Sequence, residues 1–300
     1  MGRPAKLAVA ALNIRIVSPE NRDYPSLLRA LFRLRLPVKV RGTEHLVLTK
    51  FGKTVPAEEK MGFGGIIGKF TDIPQDAEWL DTDTLSAADA DQLSDLVIPA
   101  NLKPNYHGFR FGLFEKEHIV VFEVYAESNS LSPFQVEKFF NLLVKSRKIK
   151  NEFGRIEVDL IPDYDQLEKI LDSEYLKSIA IDIYAPNPDD FDDAQFQRTE
   201  ERMRALNAER EQILLTAPKG ESLNLDAETK SLARVAAENG SVSAKVVENG
   251  LSVPLSTDEH PLEVRDTYDS EEMVPEPIFR RLAKSLVARA RRNRRRTAQE

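Results

Sequence analysis

The sequence predicts an α+β protein of two lobes, each a mixed or antiparallel sheet with helices packed on one face, closed by a basic C-terminal helix. Three observations predict it. Runs rich in β-branched and aromatic residues (RIEVDLIP, LKSIAIDIY) are interleaved with amphipathic helical stretches (PFQVEKFFNLL, DYDQLEKIL). The polar stretch AESNSL near residue 128 separates an N-terminal lobe, 1–128, from a C-terminal lobe, 129–300. The last residues carry an apolar stripe at helical spacing among arginines.

In order, LAVAALNIRIV reads as a first strand, YPSLLRALFRL as a short helix with Pro25 near its first turn, and PVKVRGTEHLVLTKF as a pair of strands. MGFGGIIGKFTDI is a Gly-rich strand. SAADADQLSDLVI gives a helical turn before IPANLKPNYHG, whose Pro99, Pro104 and Gly108 forbid a continuing helix. FRFGLFEKEHIVVFEVYAES is a hairpin around residues 115–118.

From Ser132 a helix runs through PFQVEKFFNLLVKSRK, with Val136, Phe139, Phe140 and Leu143 on one face and Lys145, Arg147 and Lys148 in its last turn. RIEVDLIP, DYDQLEKILDS and LKSIAIDIYAPNP follow as strand, helix and strand, a βαβ-type unit or a split ferredoxin-like half. FDDAQFQRTEERMRALNAEREQILL reads as one long helix and DAETKSLARVAAENG as another, opened near Asp226. SVSAKVVENGLSVPL is a hairpin turning at Asn249-Gly250. After PLEVRDTYDSEE comes the last helix, opened by Pro275 and Pro277.

Composition excludes several function classes. With no cysteine, the chain has no disulfide framework, thiolate zinc site or cysteine nucleophile, which suits a reducing cytoplasm. No apolar run approaches the roughly 18 residues needed to span a bilayer. No membrane contact and a cytoplasmic location are therefore expected.

Charge is segregated. The chain holds 49 acidic and 42 basic residues, yet nine of the basic ones stand between residues 280 and 296, leaving 33 basic against 48 acidic before residue 280. They are Arg280, Arg281, Lys284, Arg289, Arg291, Arg292, Arg294, Arg295 and Arg296. One or two cations would suffice to complement a helix dipole; nine exceed that need, and arginine's fork suits bidentate phosphate contacts. Ile278, Leu282 and Leu286, with Phe279, Val287 and Ala290, would dock the helix and present these cations from a fixed platform. A second concentration, RALFRLRLPVKVR, contributes Arg29, Arg33, Arg35, Lys39 and Arg41. On an acidic body such patches confine polyanion binding to an edge.

Other motifs fail. Gly62, Gly64, Gly65 and Gly68 precede Lys69, but Phe63 and Phe70 occupy the positions a phosphate loop needs for Gly and Ser/Thr, and Ile67 replaces the third glycine of a dinucleotide fingerprint. A strand closely approached by another backbone, or bulged, is the better reading. HGFRFGLF partly matches an RNA-recognition strand through Phe109 and Phe111, though His107 and Arg110 depart from it. Glu78, Asp81 and Asp83, and Asp189, Asp190, Asp192 and Asp193, are oxygen clusters able to hold Mg²⁺ in a nuclease, but Asp also favours turns and caps. His45, His107, His118 and His260 share no ligand spacing, and no serine elbow is present.

GKFTDIPQDAEWLDTDT, IPANLKPNYHGFRF and SPFQVEKFFNLL together resemble an uncharacterised bacterial family associated with mobile elements and phage-defence neighbourhoods. The order of elements from Gly154 onward resembles the A protein of the lambdoid phage Rex exclusion system. The resemblance implies a DNA-associated protein acting in phage exclusion and carries over no catalytic residue. The expectation is a non-enzymatic protein binding nucleic acid, DNA before RNA, with little sequence specificity and no cofactor or metal. A homodimer and a partner protein from the same operon complete it. The alternatives are a metal-dependent nuclease or toxin effector and a protein-interaction subunit of a defence complex.

Overall fold

A computed structural model of the chain describes residues 4–17, 22–54, 61–74, 76–93, 98–184, 194–248 and 251–297. The strands and helices, in chain order, begin with β1 (Pro4–Ile16), α1 (Tyr24–Leu34), β2 (Val38–Arg41), β3 (Glu44–Lys53), β4 (Met61–Thr71), β5 (Leu80–Asp81), β6 (Ser86–Ala87) and α2 (Ala90–Leu93). Next come β7 (His107–Phe114), β8 (Ile119–Ala126), β9 (Asn129–Ser130), α3 (Pro133–Val144), α4 (Arg147–Phe153), β10 (Ile156–Leu160) and α5 (Tyr164–Leu171). The chain closes with β11 (Leu176–Tyr184), α6 (Ala194–Ala205), β12 (Arg210–Thr216), α7 (Ala227–Glu238), β13 (Gly240–Glu248), β14 (Leu251–Ser256), β15 (Val264–Asp269) and α8 (Pro275–Thr297).

The protein is of the α+β class, with antiparallel sheets. The main sheet runs β10-β1-β8-β7-β4-β3-β2, with β9 on β8 and β15 on β1. β1 explains its shape. Its thirteen residues give it room for two partners end to end on one edge: Leu12–Ile16 pair with β10 and Pro4–Val9 with β15, while β8 takes the other edge. Strands from both sides of residue 128 therefore share one sheet. Residues between β10 and β15 build a second sheet, β12-β11-β13-β14, so this unit is an insertion. Its entry and exit are zipped by Ile161 accepting the Leu262 N–H at 2.8 Å, the Pro162–Pro261 bridge, and the Asp163 N–H donating to His260 at 2.7 Å.

The core follows the strand alternation. Ala10, Leu12, Ile14 and Ile16 face α1, α3 and α4 across a buried layer with Phe109, Phe111, Phe139 and Phe140. Leu7, Val9 and Ala11 face the opposite way, against Ile278, Phe279, Leu282, Leu286, Val287 and Ala290 of α8. The docking stripe expected of the last helix is therefore buried, and the main sheet carries helices on both faces. Helix starts are chemically marked: Asp23 accepts the Ser26 N–H (2.9 Å), Asp163 that of Asp165 (3.2 Å) and Asp226 that of Thr229 (2.8 Å).

Several local expectations change. The helix expected through residue 148 stops at Val144, so Arg147 and Lys148 open α4 instead of closing α3. The long helix expected through EREQILL ends near Asn207, whose φ is +51°, and those residues form β12, because Ile213 and Leu215 alternate onto the second core. β15 lies within PLEVRDTYDSEE, too polar to announce a strand. β10 and β11 sit in different sheets, so no βαβ unit forms across α5. The Asn249-Gly250 turn lies outside the described residues.

Candidate nucleic-acid interface

Among the described residues, at least four of the six cations of α8 meet carboxylates of the protein itself. Arg280 donates to Glu276 one turn earlier (2.8 and 3.1 Å), and Glu276 also lies 3.5 Å from Arg110. Arg281 pairs with Asp266 of β15 at 2.7 Å. Arg289 reaches Asp163 and Asp165 at the start of α5 (3.3 and 3.1 Å). Arg291 pairs with Glu117, a carboxylate 5% exposed in the turn between β7 and β8. Lys284 and Arg292 are exposed, and the side chains of Arg294, Arg295 and Arg296 lie outside the described residues. The acidic balance before residue 280 thus holds the helix down as well as the apolar stripe does. Surface pairs of this kind contribute roughly 0–1 kcal/mol each, but the cation over buried Glu117 prevents a larger desolvation cost.

A different basic surface forms on the opposite face of the main sheet. Residues 24–43 contain five cations and no acid, and residues 138–151 again contain five cations and no acid. The fold brings these two stretches together. α1 packs on α4, α3 packs on β2, and Lys138 Nζ donates to the Val40 carbonyl at 2.8 Å. Each element buries its apolar side, Leu27, Leu28 and Leu31 from α1 and Ile149 and Phe153 from α4, which turns the cations outward. Arg29, Arg33 and Arg35, Lys39 and Arg41, and Lys145, Arg147, Lys148 and Lys150 are all exposed. Arg29 and Arg33 stand one helical turn apart, on one outer stripe.

Reading the sequence found the first of these stretches and missed the second, because 145–148 passed for a helix C-terminus satisfying its dipole. The available signal was the acid-free run of 138–151 in a chain with 49 acidic residues. In α1 and α4, Tyr24 and Phe153 are buried and Phe32 is half-buried against the main core, while Phe134 of α3, one turn before Lys138, is 44% exposed.

The remaining motifs have structural partners. Phe109 and Phe111 are 0% and 2% exposed, so the partial RNA-recognition match is a core strand and these rings do not face solvent. A Cβ on Gly65 would lie 1.9 Å from the Lys50 carbonyl oxygen, opposite an irregularity in β3 between Leu48 and Lys50; the glycine cluster is close backbone approach beside a bulge. Asp81 accepts the Asp83 N–H (2.8 Å) and the Gln92 side-chain amide (2.6 Å), and these bonds hold its carboxyl below the usual range, so it organises a turn. Asp189, Asp190, Asp192 and Asp193 lie outside the described residues, and among the described residues no three His, Asp or Glu gather as metal ligands. His118 stacks on Tyr24 at 4.3 Å and His45 on Phe70 at 5.6 Å. Among the described residues no helix is long and apolar enough to cross a membrane.

Fold and surface define an α+β protein with a basic helical face on one side of its main sheet. The chain belongs to the family described as a domain of unknown function (DUF4747), whose profile matches residues 5–284, spanning both units. No curated protein matches the sequence.

Proposed function

We propose that the protein is a non-enzymatic, cytoplasmic nucleic-acid-binding protein that contacts the phosphate backbone of duplex DNA with little sequence preference. The likeness of its sequence segments and element order to phage-defence and exclusion proteins supports a role in bacterial phage defence. The observation that carries the binding reading is the convergence of two acid-free, cation-rich stretches on one exposed face, in a chain of net charge −7. Ion pairs on α8 leave its cations less available, so the principal contacts are Arg29, Arg33, Arg35, Lys39 and Arg41 together with Lys145, Arg147, Lys148 and Lys150. Arg292 and the arginines after it supply a secondary contact. Helices presenting clustered Arg and Lys suit contact with the phosphate backbone.

The experiment is fluorescence anisotropy with a generic duplex at low salt, comparing wild type with Arg29→Glu/Arg33→Glu/Lys148→Glu. Binding that is lost in the triple variant supports the reading; equal binding by both proteins, or none by either, rejects it.

A further inference from the structure

The free edges of the two sheets differ in how they are guarded against pairing with another chain. Along β10, α3 covers the edge: Asn141 Nδ2 donates to the Val158 carbonyl at 2.9 Å and Glu137 accepts the Leu160 N–H at 3.0 Å. β2 is four residues long and displays Lys39 and Arg41, and the stretch of β3 beyond it carries Lys50 and Lys53. β14 contains Pro254, and β15 displays Arg265 and Asp266. β12 has no such device beyond its first two residues, Arg210 and Glu211. It is an edge among the described residues, seven residues long and in regular register with β11, and Gln212, Ile213, Leu214, Leu215 and Thr216 include neither charge nor proline. Leu214 on its outer face is 71% exposed, while Ile213 and Leu215 pack toward the second core.

We propose that two copies of the chain dimerise by pairing β12 antiparallel with itself, centred on Leu214, joining their second sheets into one of eight strands. In that register Leu214 faces Leu214 of the other copy, Ile213 faces Leu215, and Gln212 faces Thr216: apolar meets apolar and polar meets polar. A shift by one residue would set inward side chains opposite outward ones. The charged start of the strand falls outside the overlap, with Arg210 held by Asp182 and Glu211 by Arg202 at 2.9 Å, so no like charges oppose each other. A charge-free strip is also where two copies of a net-acidic chain meet with least repulsion. The pairing stands independently of nucleic-acid binding.

The test is the mass of the full chain by light scattering at tens of micromolar, with two sets of variants. Wild type is expected at twice 33.9 kDa, and Leu214→Lys at the monomer mass with unchanged circular dichroism. Because the chain has no cysteine, Leu214→Cys is expected to form a disulfide-linked dimer on mild oxidation, whereas Gln212→Cys, opposite Thr216, is not. If Leu214→Lys does not fold, the cysteine pair decides. A monomeric wild type, a dimer that survives Leu214→Lys, or equal cross-linking from both cysteine positions overturns the proposal.

Discussion

Arg15 of β1 donates to Asn239, the C-cap of α7, so one buried guanidinium bonds the main sheet to the inserted unit. Arg15 is 1% exposed and also holds Asp159 and, at 2.9 Å, Glu157 of β10. Removing it strands the Asp159 carboxylate and the buried Asn239 amide oxygen, while Glu157 keeps its pairing with Arg155 at 2.5 Å. Arg15→Met is expected to lower stability by about 3 kcal/mol or more, and Arg15→Lys to recover little, since a single ammonium cannot reproduce the fork. Urea unfolding midpoints of the two variants check this.

Glu137, on α3 at the β10 edge, sets a pH dependence. Burial pushes its carboxyl up to about 7, with the charges of Asp159 and Asp258 adding to the rise. Burial likewise raises Asp159 and Asp258. The folded state therefore binds these protons more tightly than the unfolded chain does. Stability is greatest with the carboxyl protonated and falls as pH rises from about 4.5 to about 7, flattening above. For a partly exposed group the change is on the order of 2 kcal/mol. Glu137→Gln keeps an acceptor for the Leu160 N–H and is expected to flatten this slope, read from denaturant titrations across that range.

The basic face has a signature in salt. Each phosphate contact contributes about 0.9 to the slope of log affinity against log salt, so Arg29→Glu/Arg33→Glu/Lys148→Glu should reduce the slope by about three. Arg281→Ala, whose side chain is paired with Asp266, should leave it nearly unchanged. Duplex titrations at four or five salt concentrations distinguish the two.

Neighbouring arginines of α8 should differ in stability. Arg291→Ala leaves Glu117 buried without its cation and is expected to cost about 2 kcal/mol. Arg292→Ala, at an exposed position, should stay within about 0.5 kcal/mol. Thermal melts of both proteins measure the contrast.

Within the glycine cluster, position decides the outcome. Gly65→Ala drives a methyl into the Lys50 carbonyl and the Phe111 ring, the latter 2.7 Å away, and should cost more than about 3 kcal/mol or abolish soluble expression. An added Cβ at Gly62 meets nothing within 4 Å, so Gly62→Ala should melt within a few degrees of wild type.

Much of the fold was legible because local patterns are local physics. The period of Ile278, Leu282 and Leu286 announced the buried stripe of α8, and alternation announced β1, β7, β8 and β11. β12 was misread because EREQILL follows a charged helix without Gly or Pro between them, and only packing on the second core selects the extended form. β15 was missed because its strand is mostly polar and gains its stability from pairing with β1.

The sequence by itself determined most of the element types, the helix start at Asp226, the docked last helix and the uneven charge, since each depends on residues a turn or a strand apart. The tertiary structure decided that β10 and β15 share one edge of β1, which makes residues between them an insertion. It also decided which cations are engaged. Arg281, Arg289 and Arg291 meet carboxylates distant in sequence, while residues 24–43 and 138–151 converge with no acid between their ends. Partner choice of this kind depends on long-range pairing and desolvation, which no local period encodes.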